Sequence, residues 1–187
     1  MRRTWHICSA SFAREGVCRE GAGLSISRGN DRWRPVVAAA LSASAVAGLG
    51  ALVTQLGPWY YQLRKPQWQP PDWLFGPAWT LIFALCALAA VMYWRQNTRR
   101  EARQWLLAAY ALNAFLNTFW SLLFFRLQRP DWALMEVPFL WLSILLLIFL
   151  LKGGERRAPW LLVPYVLWVS FAAVLNWKIV QLNAPFG

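Results

Sequence analysis

From Pro35 onward the chain alternates between apolar stretches and short polar connections. Each stretch holds about 20 residues, the length one helix needs to cross a hydrocarbon core roughly 30 Å thick. The stretches are Pro35–Leu56, Gly76–Tyr93, Trp105–Phe125, Trp132–Leu151 and Pro159–Gln181. Helix breakers and charges stand between them: Gly57-Pro58 and the segment Pro66–Pro77, then Arg95–Arg103, Arg126–Asp131 and Lys152–Arg157. Five such runs cannot all be hidden inside the core of a 187-residue globule. The pattern predicts an all-α integral membrane protein, a bundle of five transmembrane helices over residues 35–183, followed by a short end at 184–187.

Residues 1–34 break the pattern. They carry seven Arg, three acids, four Ser, four Gly and the only histidine, His6. They lack the apolar core of about 7–15 residues that a signal peptide requires. They read as a basic, disordered tail or a leader, with no chemistry assigned. The Lys and Arg residues set the expected orientation. Fourteen fall on the side of the N-terminus and five on the other (Arg64, Lys65, Arg126, Arg129 and Lys178), so the N-terminus is expected to be cytoplasmic.

Composition sharpens this picture. The chain is 58% hydrophobic and 14% charged, against about 45–50% and about 25% in soluble domains. The net charge of +11 lies in the connections rather than on one folded face, which points to membrane topology and not to nucleic acid. Cys8, Cys18 and Cys86 have no paired spacing, and the spans hold no metal-ligand set. HExxH, GxSxG, P-loop and CxxC motifs are absent from the sequence. No catalytic residue is therefore expected, and a binding site is better supported.

Fourteen Trp are more than core packing demands. Those near span ends, such as Trp59, Trp94, Trp105 and Trp160, fit an aromatic belt at the interface, whereas Trp79, Trp120, Trp141 and Trp168 lie deeper. In the third stretch Tyr110, Asn113, Asn117, Trp120 and Phe124 share one helical face. Amides in hydrocarbon need partners, so this face either glues helices together or anchors a ligand among aromatic walls. The fifth stretch repeats the theme with Tyr165, Trp168, Ala172 and Asn176, and the second offers Trp79, Phe83 and Cys86. In the first stretch Ala40, Ser44 and Gly48 recur every four residues, a spacing that permits close helix packing or a dimer seam. Glu136 is an intramembrane acid, by default a functional hypothesis, with Arg126, Arg129 and Lys178 on the same side as possible partners.

The first connection carries a denser signal. Trp59–Trp79 reads WYYQLRKPQWQPPDWLFGPAW, which resembles the pattern WYxxLxKPxWxPPxWxxGPxW of the tryptophan-rich sensory protein/translocator protein (TspO/MBR) family. Further matches follow in order: Leu116-Asn117 with Trp120 and Phe124-Phe125, Trp132-Ala133-Leu134 before Glu136, and Pro164-Tyr165, Trp168, Phe171-Ala172 and Leu175-Asn176. The resemblance covers about residues 36–183.

That resemblance implies five transmembrane helices, commonly paired as homodimers in the lipid bilayer. The pocket implied binds porphyrins and other hydrophobic ligands and is closed by the first connection. Carried over by motif, its positions are Trp79, Asn117, Trp120, Trp168, Ala172 and Asn176. Phe83 and Tyr165 lie on the same faces, and Trp68 with Pro70-Pro71 belongs to the lid. Arg64 and Lys65, at the mouth, are candidate contacts for ligand carboxylates. A porphyrin (protoporphyrin IX or heme) is implied as a ligand, not as a built-in cofactor. The expected function is a membrane receptor or sensor for porphyrins, linked to porphyrin metabolism and stress response. Light-dependent porphyrin breakdown and tetrapyrrole or sterol transport are the alternatives. The sterol motif of some members is not reproduced, because Leu175-Asn176 is followed by Trp177 and Lys178 without the required Tyr.

Overall fold

A computed structural model describes residues 30–54, 56–154 and 156–186. The expectations for residues 1–29, His6, Cys8 and Cys18 among them, lie outside the described residues. Five helices are long and apolar enough to span a bilayer, within Trp33–Val53, Asp72–Gln96, Arg100–Arg126, Pro130–Leu151 and Ala158–Asn183. Each predicted stretch falls on one of them.

The elements run α1 (Asn30–Val53), α2 (Pro58–Gln62), α3 (Phe75–Gln96), α4 (Arg100–Ser121), α5 (Pro130–Leu151) and α6 (Val163–Asn183). Proline marks several starts. Pro58, Pro130 and Pro164 sit in the first turns of α2, α5 and α6, where a missing N–H costs nothing and the fixed φ suits a helix. A short 3-10 turn, Asp72–Leu74, leads into α3, and another, Ala158–Leu162, leads into α6. Helix α4 ends in a π turn over Leu122–Arg126, closed by Leu127 N–H donating to Leu122 O at 2.9 Å. Helix α1 begins at Asn30, ahead of the first apolar stretch at Pro35.

The spans form a ring in the order α1, α3, α6, α5, α4. Helix α1 packs on α3 and α4, α4 on α5, and α5 on α6. Rings join α3 to α6: Trp79 meets Tyr165 edge-on at 5.9 Å, and Phe75 meets Trp168 at 5.6 Å. The buried core lies among α3–α6, where Ala89, Ile144, Leu147, Leu151 and Leu162 are sealed. Leu88, Phe115, Phe139, Phe149 and Leu167 point outward, as lipid-facing side chains do when the solvent is hydrocarbon. Helix α1 differs from the rest, because none of its residues from Trp33 to Val53 is buried. One of its faces looks at an interior space. The Ala40, Ser44, Gly48 stripe is exposed, and a Cβ at Gly48 would meet nothing within 4 Å among the described residues.

Candidate ligand-binding site

The interior space is a cavity of about 1070 Å³ between α1, α3 and α4. Helix α1 supplies Ala38, Ser42 and Val46, each one turn above the last, so short side chains leave the space open. Helix α3 contributes Phe83, Ala87 and Trp94, and α4 contributes Tyr110, Ala114 and Asn117. The walls are thus mainly apolar with a few convergent polar groups, the usual make-up of a small-molecule site. Along α4 the lining runs from Arg103 to Asn117, about 21 Å at 1.5 Å per residue. The cavity therefore reaches from one membrane face well past the midplane.

Its deep end is set by a buried hydrogen-bond relay. Asn113 Nδ2 donates to Ser143 Oγ at 2.8 Å, Tyr165 Oη donates to Asn113 Oδ1 at 3.1 Å, and Asn117 Nδ2 donates to Tyr165 Oη at 3.2 Å. Three helices are tied at one level. Both ends of the Asn113 amide are spent, so it acts as glue between α4, α5 and α6. Both amides line the cavity, but Asn117 differs in that its side-chain oxygen accepts no hydrogen bond among the described residues. Tyr110 Oη, also on the wall, donates to Cys86 O at 3.0 Å.

Of the residues singled out in the sequence on the polar and aromatic helix faces, Phe83, Cys86, Tyr110, Asn113 and Asn117 line this cavity. Trp79 stacks on Phe83 at 5.4 Å and so backs that wall. Trp68 and Trp168 gather elsewhere, where the first connection meets α6, and Ala172 does not line the cavity. There Trp68 meets Phe171 edge-on at 5.9 Å, and Phe171 lies 5.8 Å from Trp168. Asn176 is 1% exposed. With its amide turned to satisfy both neighbours, it donates to Pro130 O and accepts from Leu134 N–H, each at 3.1 Å. It thereby bridges a backbone pair in the first turn of α5.

Trp120 stacks on Phe124 at 5.1 Å, yet its buried indole N–H has no partner among the described residues. Glu136 is 6% exposed, and neither carboxylate oxygen has a partner among the described residues. Trp120 follows Asn113 by seven residues and Glu136 precedes Ser143 by seven. In the antiparallel α4–α5 pair, the Asn113–Ser143 bond therefore sets these two unpartnered groups at the same height. Two of the three cations expected to reach Glu136 turn elsewhere: Arg129 pairs with Asp131 at 2.6 Å, and Lys178 donates to Gln181 Oε1 at 3.2 Å.

The first connection folds over the end of the bundle and ties itself down. Tyr60 Oη donates to Asp72 Oδ1 at 2.7 Å, and Gln69 Nε2 donates to both at 3.2 Å. Burial, reinforced by the Asp72 carboxylate, pushes the Tyr60 phenol well above its ordinary range. Lys65 Nζ sits 3.4 Å from the Tyr60 ring centroid, and its pKa is lowered by burial. Arg64 exchanges two 2.8 Å backbone hydrogen bonds with the Asn183 side chain at the end of α6. Neither Arg64 nor Lys65 lines the cavity. The cations that do are Arg34, Arg95 and Arg103, at the opposite membrane face.

Sequence reasoning missed that cationic end, together with the Ala38, Ser42, Val46 face and Trp94. The arginines had been accounted for by topology and Trp94 by the belt.

A model of the TspO/MBR family matches residues 36–182. The chain belongs to the TspO/MBR family. Among its relatives, the tryptophan-rich protein TspO of Chlorobaculum tepidum is 42% identical over 67% of this chain and 80% of its own length. The tryptophan-rich sensory protein of Cereibacter sphaeroides is 33% identical over 82% and 94%. The translocator protein of Bos taurus is 32% identical over 81% and 91%. Family membership and five apolar spans make this an integral, multi-pass membrane protein.

Proposed function

We propose that this protein is a membrane receptor that binds porphyrins and related hydrophobic ligands in the cavity between α1, α3 and α4, with its N-terminus cytoplasmic. The observation that carries the reading is a cavity of about 1070 Å³ at bilayer depth, as large as drug-sized ligand sites become. Its apolar walls include the flat rings of Phe83 and Trp94, and the free Asn117 oxygen suits a pyrrole or other N–H donor. Aromatic offset stacking adds about 0.5–1.5 kcal/mol per pair beyond burial. The exposed Ala40, Ser44, Gly48 stripe is the seam proposed for a homodimer.

The test is a titration of the purified protein in detergent with protoporphyrin IX in the dark, following tryptophan fluorescence. Saturable quenching at one site per chain is expected, and quenching that only rises linearly with porphyrin contradicts the reading. A second reading, light-dependent breakdown of bound porphyrin with dioxygen as oxidant, is favoured by the Trp94 indole on the cavity wall. It predicts loss of porphyrin absorbance under light that Trp94→Phe abolishes while dark binding survives. Unchanged loss in that variant removes the indole from the chemistry.

A further inference from the structure

The proposed cavity is electrically lopsided. Three guanidinium groups, Arg34, Arg95 and Arg103, stand at one end, and no Asp or Glu is among the described lining residues. They come from three helices that share one membrane face: the first turns of α1 and α4 and the last turn of α3. Arg103 is held firmly. Its Nε donates to Asn97 O at 2.6 Å, one Nη donates to Trp94 O at 2.8 Å, and the group stacks on the Trp94 ring at 4.6 Å. That caps the carbonyl end of α3 and leaves other donors of the planar fork unspent. Arg95 is exposed and makes no hydrogen bond or ion pair among the described residues.

We infer that this cavity selects apolar ligands bearing carboxylates and holds them with the carboxylates on Arg95 and Arg103, at the face opposite the first connection. The inference rests on the receptor reading and adds the ligand's charge and its orientation. Arginine is the side chain suited to this task, because its fork matches a carboxylate bidentately. The other end offers no rival, since Lys65 is engaged with the Tyr60 ring and Arg64 lies off the cavity. Between the arginines and the Asn117 oxygen lie about 21 Å of α4 lined with small and apolar side chains. The complement of that surface is an elongated or flat apolar body, anionic at one end and with a hydrogen-bond donor toward the other.

The test compares protoporphyrin IX with its uncharged dimethyl ester, in the dark, on wild type, Arg95→Gln, Arg103→Lys and the Arg64→Gln/Lys65→Gln double variant. Wild type is expected to prefer the diacid by about tenfold, the order one charge-assisted contact supplies. The preference should shrink severalfold in Arg95→Gln and in Arg103→Lys and persist in the double variant. Retained ester binding shows that each variant is folded. Equal binding of diacid and ester by wild type overturns the inference and leaves the receptor reading standing. So does a preference that vanishes in the double variant and survives in Arg95→Gln. If neither compound binds saturably, the receptor reading fails and the inference with it. Titration with added phosphatidylglycerol covers the remaining anion source: loss of the diacid preference with ester binding intact assigns the arginines to a lipid headgroup and overturns the carboxylate.

Discussion

Replacing Tyr165 with Phe removes one oxygen and leaves the packing of a residue that is 1% exposed. That oxygen is the hub joining α6 to α4, donating to Asn113 at 3.1 Å and accepting from Asn117 at 3.2 Å. Interhelical hydrogen bonds in membranes average about 0.6 kcal/mol and reach about 1.7 kcal/mol, because the unfolded helices still find partners. Two such bonds, with two buried amide atoms orphaned, put the expected loss at about 1–2 kcal/mol. The ring still stands against Trp79, so no cavity forms. Tyr165→Ala, by contrast, should cost about 3–5 kcal/mol, the range for deleting a buried aromatic. Equilibrium unfolding by SDS in mixed micelles measures both. A double-mutant cycle with Asn117→Ala should return a coupling of about 0.5 kcal/mol or more. Wild-type stability in Tyr165→Phe refutes the relay. A loss as large as that of Tyr165→Ala means that the hydroxyl cannot be separated from packing.

Glu136→Leu should raise stability or leave it unchanged, since a buried polar group without a partner costs about 1–3 kcal/mol; a clear fall in melting temperature contradicts the unpaired carboxylate. Gly154→Ala should destabilise by about 1–3 kcal/mol, because a Cβ there meets Tyr93 Cδ2 at 2.7 Å; adding Tyr93→Leu should recover part of the loss, and independence of the two sites refutes the clash. The first connection should loosen at alkaline pH. Tyr60 holds its proton more tightly in the closed loop than in an open one, so its contribution is complete below about pH 10, the ordinary phenol value, and is lost as pH rises above it. A spin label at Gln67 reads this as rising mobility, which Tyr60→Phe should bring on already at neutral pH. Mobility unchanged until global unfolding contradicts it.

The five spans were legible because their signal is length against bilayer thickness, which neighbours do not alter. The starts of α5 and α6 were less legible: the apolar pattern put them at Trp132 and Pro159, whereas the helices begin at Pro130 and Val163. The polar face of α4 was visible as well, but the periodicity of Asn113 and Asn117 could not separate glue from anchor. Only the partners do: Asn113 spends both ends on Ser143 and Tyr165, and Asn117 keeps one toward the cavity. The cavity itself was hidden because α1 is rich in small side chains on every face, so spacing could not show which stripe looks inward. The sequence drew attention to Ala40, Ser44 and Gly48, whereas Ala38, Ser42 and Val46 are the inner wall. Arg34, Arg95 and Arg103 carried a sufficient topological explanation and gave no sign of converging, since residue 34 is distant in sequence from residues 95 and 103.

The central claim is that ligand occupies the space between α1, α3 and α4 rather than the aromatic cluster under the first connection. It is tested by measuring the dark affinity of protoporphyrin IX for two variants, Ala87→Phe/Ala114→Phe, which fills the cavity from two walls, and Trp168→Leu, which opens the cluster. The filled variant should bind at least tenfold more weakly with its melting temperature preserved, and Trp168→Leu should bind nearly as wild type. Wild-type affinity in the filled variant, with binding lost in Trp168→Leu, would contradict the account and move the site beneath the connection.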